Sequence, residues 1–176
     1  GRLDQAAQPV LAVSGSKNTG KTWLLEHLVS ILAGAGVRAA VIKHDGHEFE
    51  ADVPGTDSHR MKKAGAFGTV VYSGTRFALV KDQAGLEARD FFGYFPEADI
   101  LLLEGQKNSA YPKIEVLRQE ISCSPVCSPE TVLAYVADCQ VSQQGSREPR
   151  QVFAFDQLDE VAELAIHHMD AVFFKN

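Results

Sequence analysis

Residues 9–35 read PVLAVSGSKNTGKTWLLEHLVSILAGA, and this stretch decides the fold. Its middle, Gly15-Ser16-Lys17-Asn18-Thr19-Gly20-Lys21-Thr22, satisfies the phosphate-loop pattern G-x-x-x-x-G-K-[ST] at every position. Pro9 to Ser14 is a short apolar run suited to a buried strand. Thr22 to Ala35 has apolar residues at 24, 25, 28, 29, 31 and 32, the spacing of a helix with one buried face. Strand, glycine loop and helix in that order are what phosphate binding requires. Gly15 and Gly20 let the backbone bend so that several N–H groups point into one concavity. That concavity lies on the positive end of the helix dipole, a site for a polyanion. Lys21 would reach the β- and γ-phosphates, and the Thr22 hydroxyl would ligand Mg²⁺. A glycine-rich turn that matches by coincidence is the competing reading. Eight residues in register, with the right flanks, weigh against it.

The segments around this unit extend it into an alternating chain. Val37 to Lys43 reads as a second strand, and His44 to Gly55 as a polar, acidic loop. Asp57 is placed to cap a short helix running to Ala64. Thr69 to Ser73 and Phe77 to Lys81 are β-rich runs around Gly74-Thr75-Arg76, a hairpin signal. Gly85 to Phe92 has helical character. Ala98 to Leu103 is a continuous apolar strand of the buried parallel kind. Lys113 to Leu117, Thr131 to Ala137 and Val152 to Phe155 read as further strands, with a polar loop over Val141 to Arg150. Asp156 is placed to cap a last helix running to about His168. The expectation is an α/β protein of the P-loop NTPase fold. It has a mainly parallel sheet flanked by helices, with a β-hairpin extension. Ligands of such sheets bind beyond the carboxyl ends of the strands.

Bulk properties narrow the function. The 176 residues suit one domain, residues 9–176, after a loose polar segment at 1–8. A hydrophobic share of 45% and a charged share of 23% are ordinary for a soluble globular protein. The net charge of −6 argues against nucleic acid as a partner, since phosphate backbones call for clustered Lys and Arg. No apolar run approaches the roughly 20 residues of a membrane span, and the start does not read as a signal peptide. No membrane role and a cytoplasmic location are therefore expected. Cys123 and Cys127 are spaced C-x₃-C and Cys139 stands apart. A zinc site would need a fourth ligand, for which only His167 or His168 is available. Buried or incidental thiols are the default.

Four polar clusters follow or adjoin the expected strands. Lys43-His44-Asp45-Gly46-His47 offers a carboxylate for Mg²⁺ or water, and histidines for phosphate or proton transfer. An ordinary Asp-Gly turn is its plain alternative. Glu104, at the tip of the 98–103 strand, is placed to hold Mg²⁺ directly or through water. Asp99, at the strand's opposite end, reads as a strand-edge residue. Lys107, Lys113 and Arg118 are candidates for a second anion site, with solvated strand-edge charge the plainer reading. Arg60 and Lys63 share one face of the short basic helix at i, i+3, which also fits a solvated face.

VIKHDGHEFEADVPGTDSHRMKKAGA (41–66) and LLLEGQKNSAYPKIEVLR (101–118), following GSKNTGKT, resemble the molybdopterin-guanine dinucleotide biosynthesis protein B family. The resemblance covers roughly residues 9–138. The phosphate loop is shared with many families, whereas the block K-H-D-x-H-x-F-E-x-D-x-P-G-x-D-S-x-R is far more specific and is intact. It implies a P-loop GTP-binding protein with weak GTPase activity and a homodimeric assembly. Such a protein would be an adaptor for the partner guanylyltransferase that joins GMP to molybdopterin. The resemblance implies GTP and Mg²⁺ as ligands, and leaves molybdopterin as a candidate bound intermediate. Gly15, Asn18, Thr19, Gly20, Lys21 and Thr22 would hold phosphates and Mg²⁺. Asp45 and Glu104 would lie near the metal and the γ-phosphate, and with Lys21 would serve hydrolysis. His47, Asp52, Asp57, Ser58 and Arg60 belong to the family block. Where many relatives have an aromatic or apolar residue after Glu-Gly, this chain has Gln106. It has no N-K-x-D guanine-reading motif. Asp138, after the 131–137 strand, is the candidate acceptor for guanine N1–H and N2–H₂, and a strand-terminating Asp is its plain alternative.

No arginine finger sits in the phosphate loop, so hydrolysis should be slow unless Arg60 or a dimer mate supplies one. The apolar hairpin at 69–81 is a plausible dimer element, because edge strands invite pairing. A small-molecule kinase on the same fold is the alternative. His44, His47 and Asp45 would form its acceptor site, and Arg147 and Arg150 a lid. A nucleotide-gated binding module without catalysis is a third reading.

Overall fold

A computed structural model describes residues 8–46, 49–145 and 147–174. It divides into two compact units, one made of the residues up to His44 and from Ala88 on, the other of Asp45–Glu87. The expected loose segment at 1–8 lies outside the described residues except for Gln8.

The first unit is built on strands β1 (Val10–Ser14) and β2 (Ala39–Lys43), with helix α1 (Lys21–Gly34) between them. Leu24, Leu25, Leu28 and Leu32 are its buried stripe, on the spacing that the sequence carries. The helix stops where Gly36, at φ 79°, takes the left-handed turn that a side chain would resist.

The second unit holds α2 (Asp57–Lys63), β3 (Gly68–Tyr72) and β4 (Phe77–Lys81). The two strands pair antiparallel with Tyr72 opposite Phe77, closed by the Ser73 N–H to Arg76 carbonyl bond of 2.7 Å. Asp57 is the first helical residue and not the cap. Thr56 holds the cap position, and its hydroxyl donates to the Val53 carbonyl at 2.8 Å. Asp57 still suits that turn, where a negative charge meets the positive helix end.

The first unit resumes with β5 (Ile100–Glu104), β6 (Lys113–Leu117), β7 (Val132–Ala137), β8 (Gln151–Phe153) and α3 (Leu158–Phe173). Before β5, the helical tendency at 85–92 takes the form of a 3₁₀ stretch at Ala88–Tyr94. The cap position of α3 is Gln157 and not Asp156. The Gln157 side-chain oxygen accepts the Ala154 N–H at 2.8 Å, which fixes the bend into the helix.

Six strands form one sheet in the order β2-β5-β1-β6-β7-β8, and every neighbouring pair is parallel. The parallel register sets the carboxyl ends side by side, with Val13 and Lys43 each opposite Glu104, and Ser14 opposite Glu115. β5 is wholly buried from Ile100 to Leu103, as its unbroken apolar run requires. One core joins the leucines of α1 to Leu11, Val13, Ile114 and Val116 of the sheet and to Val161, Ala162 and Ala165 of α3. A second, smaller cluster holds Leu117, Cys127, Val132, Tyr135 and Ala137. Asp99 lies at the amino end of β5, where its carboxylate accepts the Arg38 N–H at 2.7 Å, a strand-edge clasp.

Candidate functional site

The loop between β1 and α1 is shaped by three positive-φ residues, Gly15 at 143°, Asn18 at 63° and Gly20 at 98°. A Cβ on Gly15 would sit 2.4 Å from the Val116 carbonyl oxygen, so only glycine lets the loop pass β6 this closely. Thr19 is buried and its hydroxyl donates to the Ser16 carbonyl at 2.9 Å, closing the turn. Lys21 folds back over the loop, its Nζ donating to the Gly15 and Ser16 carbonyls at 3.2 and 2.7 Å. Burial lowers its pKa. The Glu104 carboxylate pulls the other way and Lys107 adds to the lowering. Lys107 thus stands within electrostatic reach of the loop, as an anion site would need.

The Thr22 hydroxyl donates to Glu104 Oε1 at 2.7 Å. Two residues 82 positions apart, both expected to serve one metal, therefore meet, Thr22 from the first turn of α1 and Glu104 from the end of β5. Ser14 donates to the Gly105 carbonyl, and the Gly105 N–H bonds the Val13 carbonyl at 2.9 Å, stitching the end of β5 to that of β1. Gln106, the departure from the family pattern, has φ 61°, and its carbonyl accepts the Ser109 hydroxyl at 2.7 Å.

The other sequence candidates divide. Lys43 and His44 close the first stretch of the first unit, the family block from Asp45 to Arg60 belongs to the second unit, and His47 lies outside the described residues. Within that unit, buried His59 accepts the Gly55 N–H at Nδ1 (3.2 Å). Its Nε2 is left to donate to Glu50 at 2.7 Å. Ser58 donates to Asp52 at 3.2 Å, and Arg60 stands 3.8 Å from Asp57. The triad of Lys107, Lys113 and Arg118 does not form one exposed anion site. Lys113 is wholly buried and donates to the Ser109 carbonyl at 2.6 Å.

Asp138 follows β7 directly. Its Oδ1 accepts the Gln119 N–H at 2.7 Å and Oδ2 lies 3.4 Å from Arg118 Nη1. The Gln119 N–H, helped by Arg118, holds its pKa below the usual carboxylate value. Arg118 reaches further. Its Nε donates to the Thr19 carbonyl of the phosphate loop at 3.2 Å, and its guanidinium lies 3.6 Å from the Phe155 ring centre. Trp23 of α1 stands 5.9 Å from the same ring. Phe155 carried no signal in the sequence beyond its place at the end of the expected 152–155 strand, and β8 in fact stops at Phe153.

Cys123 and Cys139 form a disulfide, so the C-x₃-C spacing of Cys123 and Cys127 is not a ligand pair. Cys127 is buried with its thiol free. Burial, then the nearby Glu115 carboxylate, pushes that thiol up to about 12. Among the described residues no group of three or more His, Cys, Asp or Glu side chains is placed to hold a metal. No helix among them is long and apolar enough to cross a membrane.

A lysine, a hydroxyl and a strand-end carboxylate gathered around a glycine loop, on the central strands of a parallel sheet, define a protein of the P-loop NTPase fold. Residues 10–138 match the family described as molybdopterin guanine dinucleotide synthesis protein B, and the chain belongs to that family. It is 37% identical over 115 residues to the molybdopterin-guanine dinucleotide biosynthesis adapter protein of Escherichia coli (strain K12), covering 62% of this chain and 66% of that one. A probable adapter protein of Bacillus subtilis (strain 168) is 35% identical over 115 residues, covering 64% and 66%. The chain thus spans just under two thirds of the length of these relatives. The crystal structure of Bacillus subtilis MobB is similar at a TM-score of 0.70 and 26% identity, over 91% of this chain and 97% of that one. The MobB homologue from Bacillus stearothermophilus shares the fold at a TM-score of 0.65 and 21% identity.

Proposed function

We propose that this protein is a GTP-binding accessory protein of molybdenum cofactor maturation. It would assist a guanylyltransferase partner in attaching GMP to molybdopterin, in the cytoplasm and as a homodimer. The observation that carries the reading is the Thr22–Glu104 hydrogen bond beside Lys21, within a family whose relatives are named as adapters. A hydroxyl and a carboxylate oxygen are the hard donors that Mg²⁺ takes, so the residues present fit the ion. Mg²⁺ held there would supply charge neutralisation to a triphosphate. Gly15, Asn18, Thr19 and Gly20 supply the bent backbone around the phosphates. Lys21 exchanges its two carbonyl partners for phosphate oxygens, and its partly desolvated ammonium gains more from an anion than a solvated one would. Asp138 is the proposed acceptor for the guanine edge. The exposed apolar side chains of β3 and β4 are the proposed pairing surface of the dimer.

Arg118, the arginine bonded to the phosphate loop, is engaged with Thr19 and Asp138, so slow hydrolysis is part of the reading. The test is titration with GTP and Mg²⁺ alongside steady-state phosphate release. Lys21→Ala should weaken GTP by about tenfold to a hundredfold, the scale of a lost charged hydrogen bond. Tight binding that survives Lys21→Ala, or fast basal turnover, would count against the proposal. Consumption of nucleotide that depends on a small metabolite would move the protein to the kinase class.

A further inference from the structure

Arg118 does more than a surface ion pair requires. It is the first residue after β6, Asp138 the first after β7, and Phe155 the second after β8. All three therefore sit at the carboxyl edge of the sheet, the ligand side of a parallel α/β architecture. The Nε bond to the Thr19 carbonyl ties this group to the phosphate loop itself. Gly20 marks how close the approach is. A Cβ there would lie 3.4 Å from Arg118 Nη2 and 3.7 Å from Phe155 Cε1.

We propose that Arg118, stacked on Phe155, is the platform on which the purine ring of the bound nucleotide lies, and that it presents Asp138 to the base edge. The proposal rests on the nucleotide reading above and names what recognises the base. A guanidinium is planar and weakly hydrated, and purines stack well on it. Phe155 braces its rear face at 3.6 Å, which keeps the plane from turning. The Arg118 side chain remains about one third exposed, at 35%, so the group is open to a ligand. Asp138, an acceptor only, retains unused lone pairs after its bonds to Gln119 and Arg118. Guanine offers it the adjacent N1–H and N2–H₂ donors. Adenine would bring its N1 lone pair against the carboxylate, which repels. The arrangement therefore selects guanine over adenine.

The experiment uses the full chain and three probes with Mg²⁺: GTP, ATP and inorganic tripolyphosphate. Asp138→Asn should lower the GTP-to-ATP affinity ratio by about tenfold or more and leave tripolyphosphate affinity unchanged. Arg118→Lys keeps the charge and loses the plane, and should weaken GTP by about tenfold relative to tripolyphosphate. Thermal melts of both variants check that they fold, and Phe155→Leu provides a second route to the platform. Parallel weakening of GTP and tripolyphosphate, or an unchanged GTP-to-ATP ratio in Asp138→Asn, would overturn the platform alone. A wild-type protein that binds none of the three probes overturns the nucleotide reading and the platform with it.

Discussion

β5 and the β3–β4 hairpin are written in similar letters and meet opposite fates. Leu101, Leu102 and Leu103 have no exposed surface, whereas Val70, Val71, Tyr72, Phe77 and Leu79 stand between 48% and 80% exposed. β5 lies between β2 and β1 in a six-stranded parallel sheet, with Ile100 and Leu102 in the core shared with α1 and α3 and Leu101 and Leu103, on its other face, equally buried. The hairpin is a two-stranded sheet against which α2 packs, and two strands cannot bury their own faces. Apolar character thus identifies a strand, while the number of its neighbours decides whether that character becomes core or contact surface.

The comparison breaks first at β5. Leu102→Ala removes a fully buried side chain next to the leucines of α1 and should cost about 2–5 kcal/mol in urea unfolding. A cost below about 1 kcal/mol would mean that the sheet is not the stabilising unit described. A smaller effect is expected at Cys127. Its thiol is pushed from 9.0 up to about 12 in the folded protein, so the folded state holds that proton more tightly than the unfolded chain does. The contribution is complete below about pH 9 and is lost as pH rises toward about 12. The groups around it are Glu115, which raises the pKa further, and Lys113 and Ser14, which oppose the rise. Stability measured across that range should fall more steeply in the wild type than in Cys127→Ala, and equal slopes would remove the thiol from the account. The smallest effect belongs to the hairpin. Val71→Ala, at an exposed position, should change monomer stability by less than about 0.5 kcal/mol. If it instead costs as much as a core substitution while changing sedimentation, the hairpin face is buried by a second copy, as proposed.

The sequence made some of this legible and hid the rest for physical reasons. The phosphate loop and β5 were readable because each depends on neighbours in the chain: glycines at fixed spacing, or an unbroken run of Ile and Leu. The helix starts were misplaced by a residue because aspartate suits both the cap and the first turn, and Thr56 and Gln157 took the caps. Thr22, at the start of the first helix, and Glu104, at a strand end, had each been assigned to one metal, and the two side chains lie in contact. The Arg118–Asp138–Phe155 group was not anticipated, although Asp138 and, for a different anion site, Arg118 had each been singled out. Its members lie on three different loops, and only the adjacency of β6, β7 and β8 brings them together. The same adjacency returns Cys139 beside Cys123, a pairing that C-x₃-C spacing pointed away from.

The strand order has one more consequence. The phosphate loop hangs from β1 at the middle of the sheet, while the three members of the candidate base site, two contacts and the ring that braces one of them, hang from the strands on one side of it. Each member follows its own strand by one or two residues, so each can be exchanged without touching the buried letters beneath. Ancestry and laboratory redesign alike would then be free to retune what the protein recognises while leaving its hold on phosphate as inherited, one loop at a time.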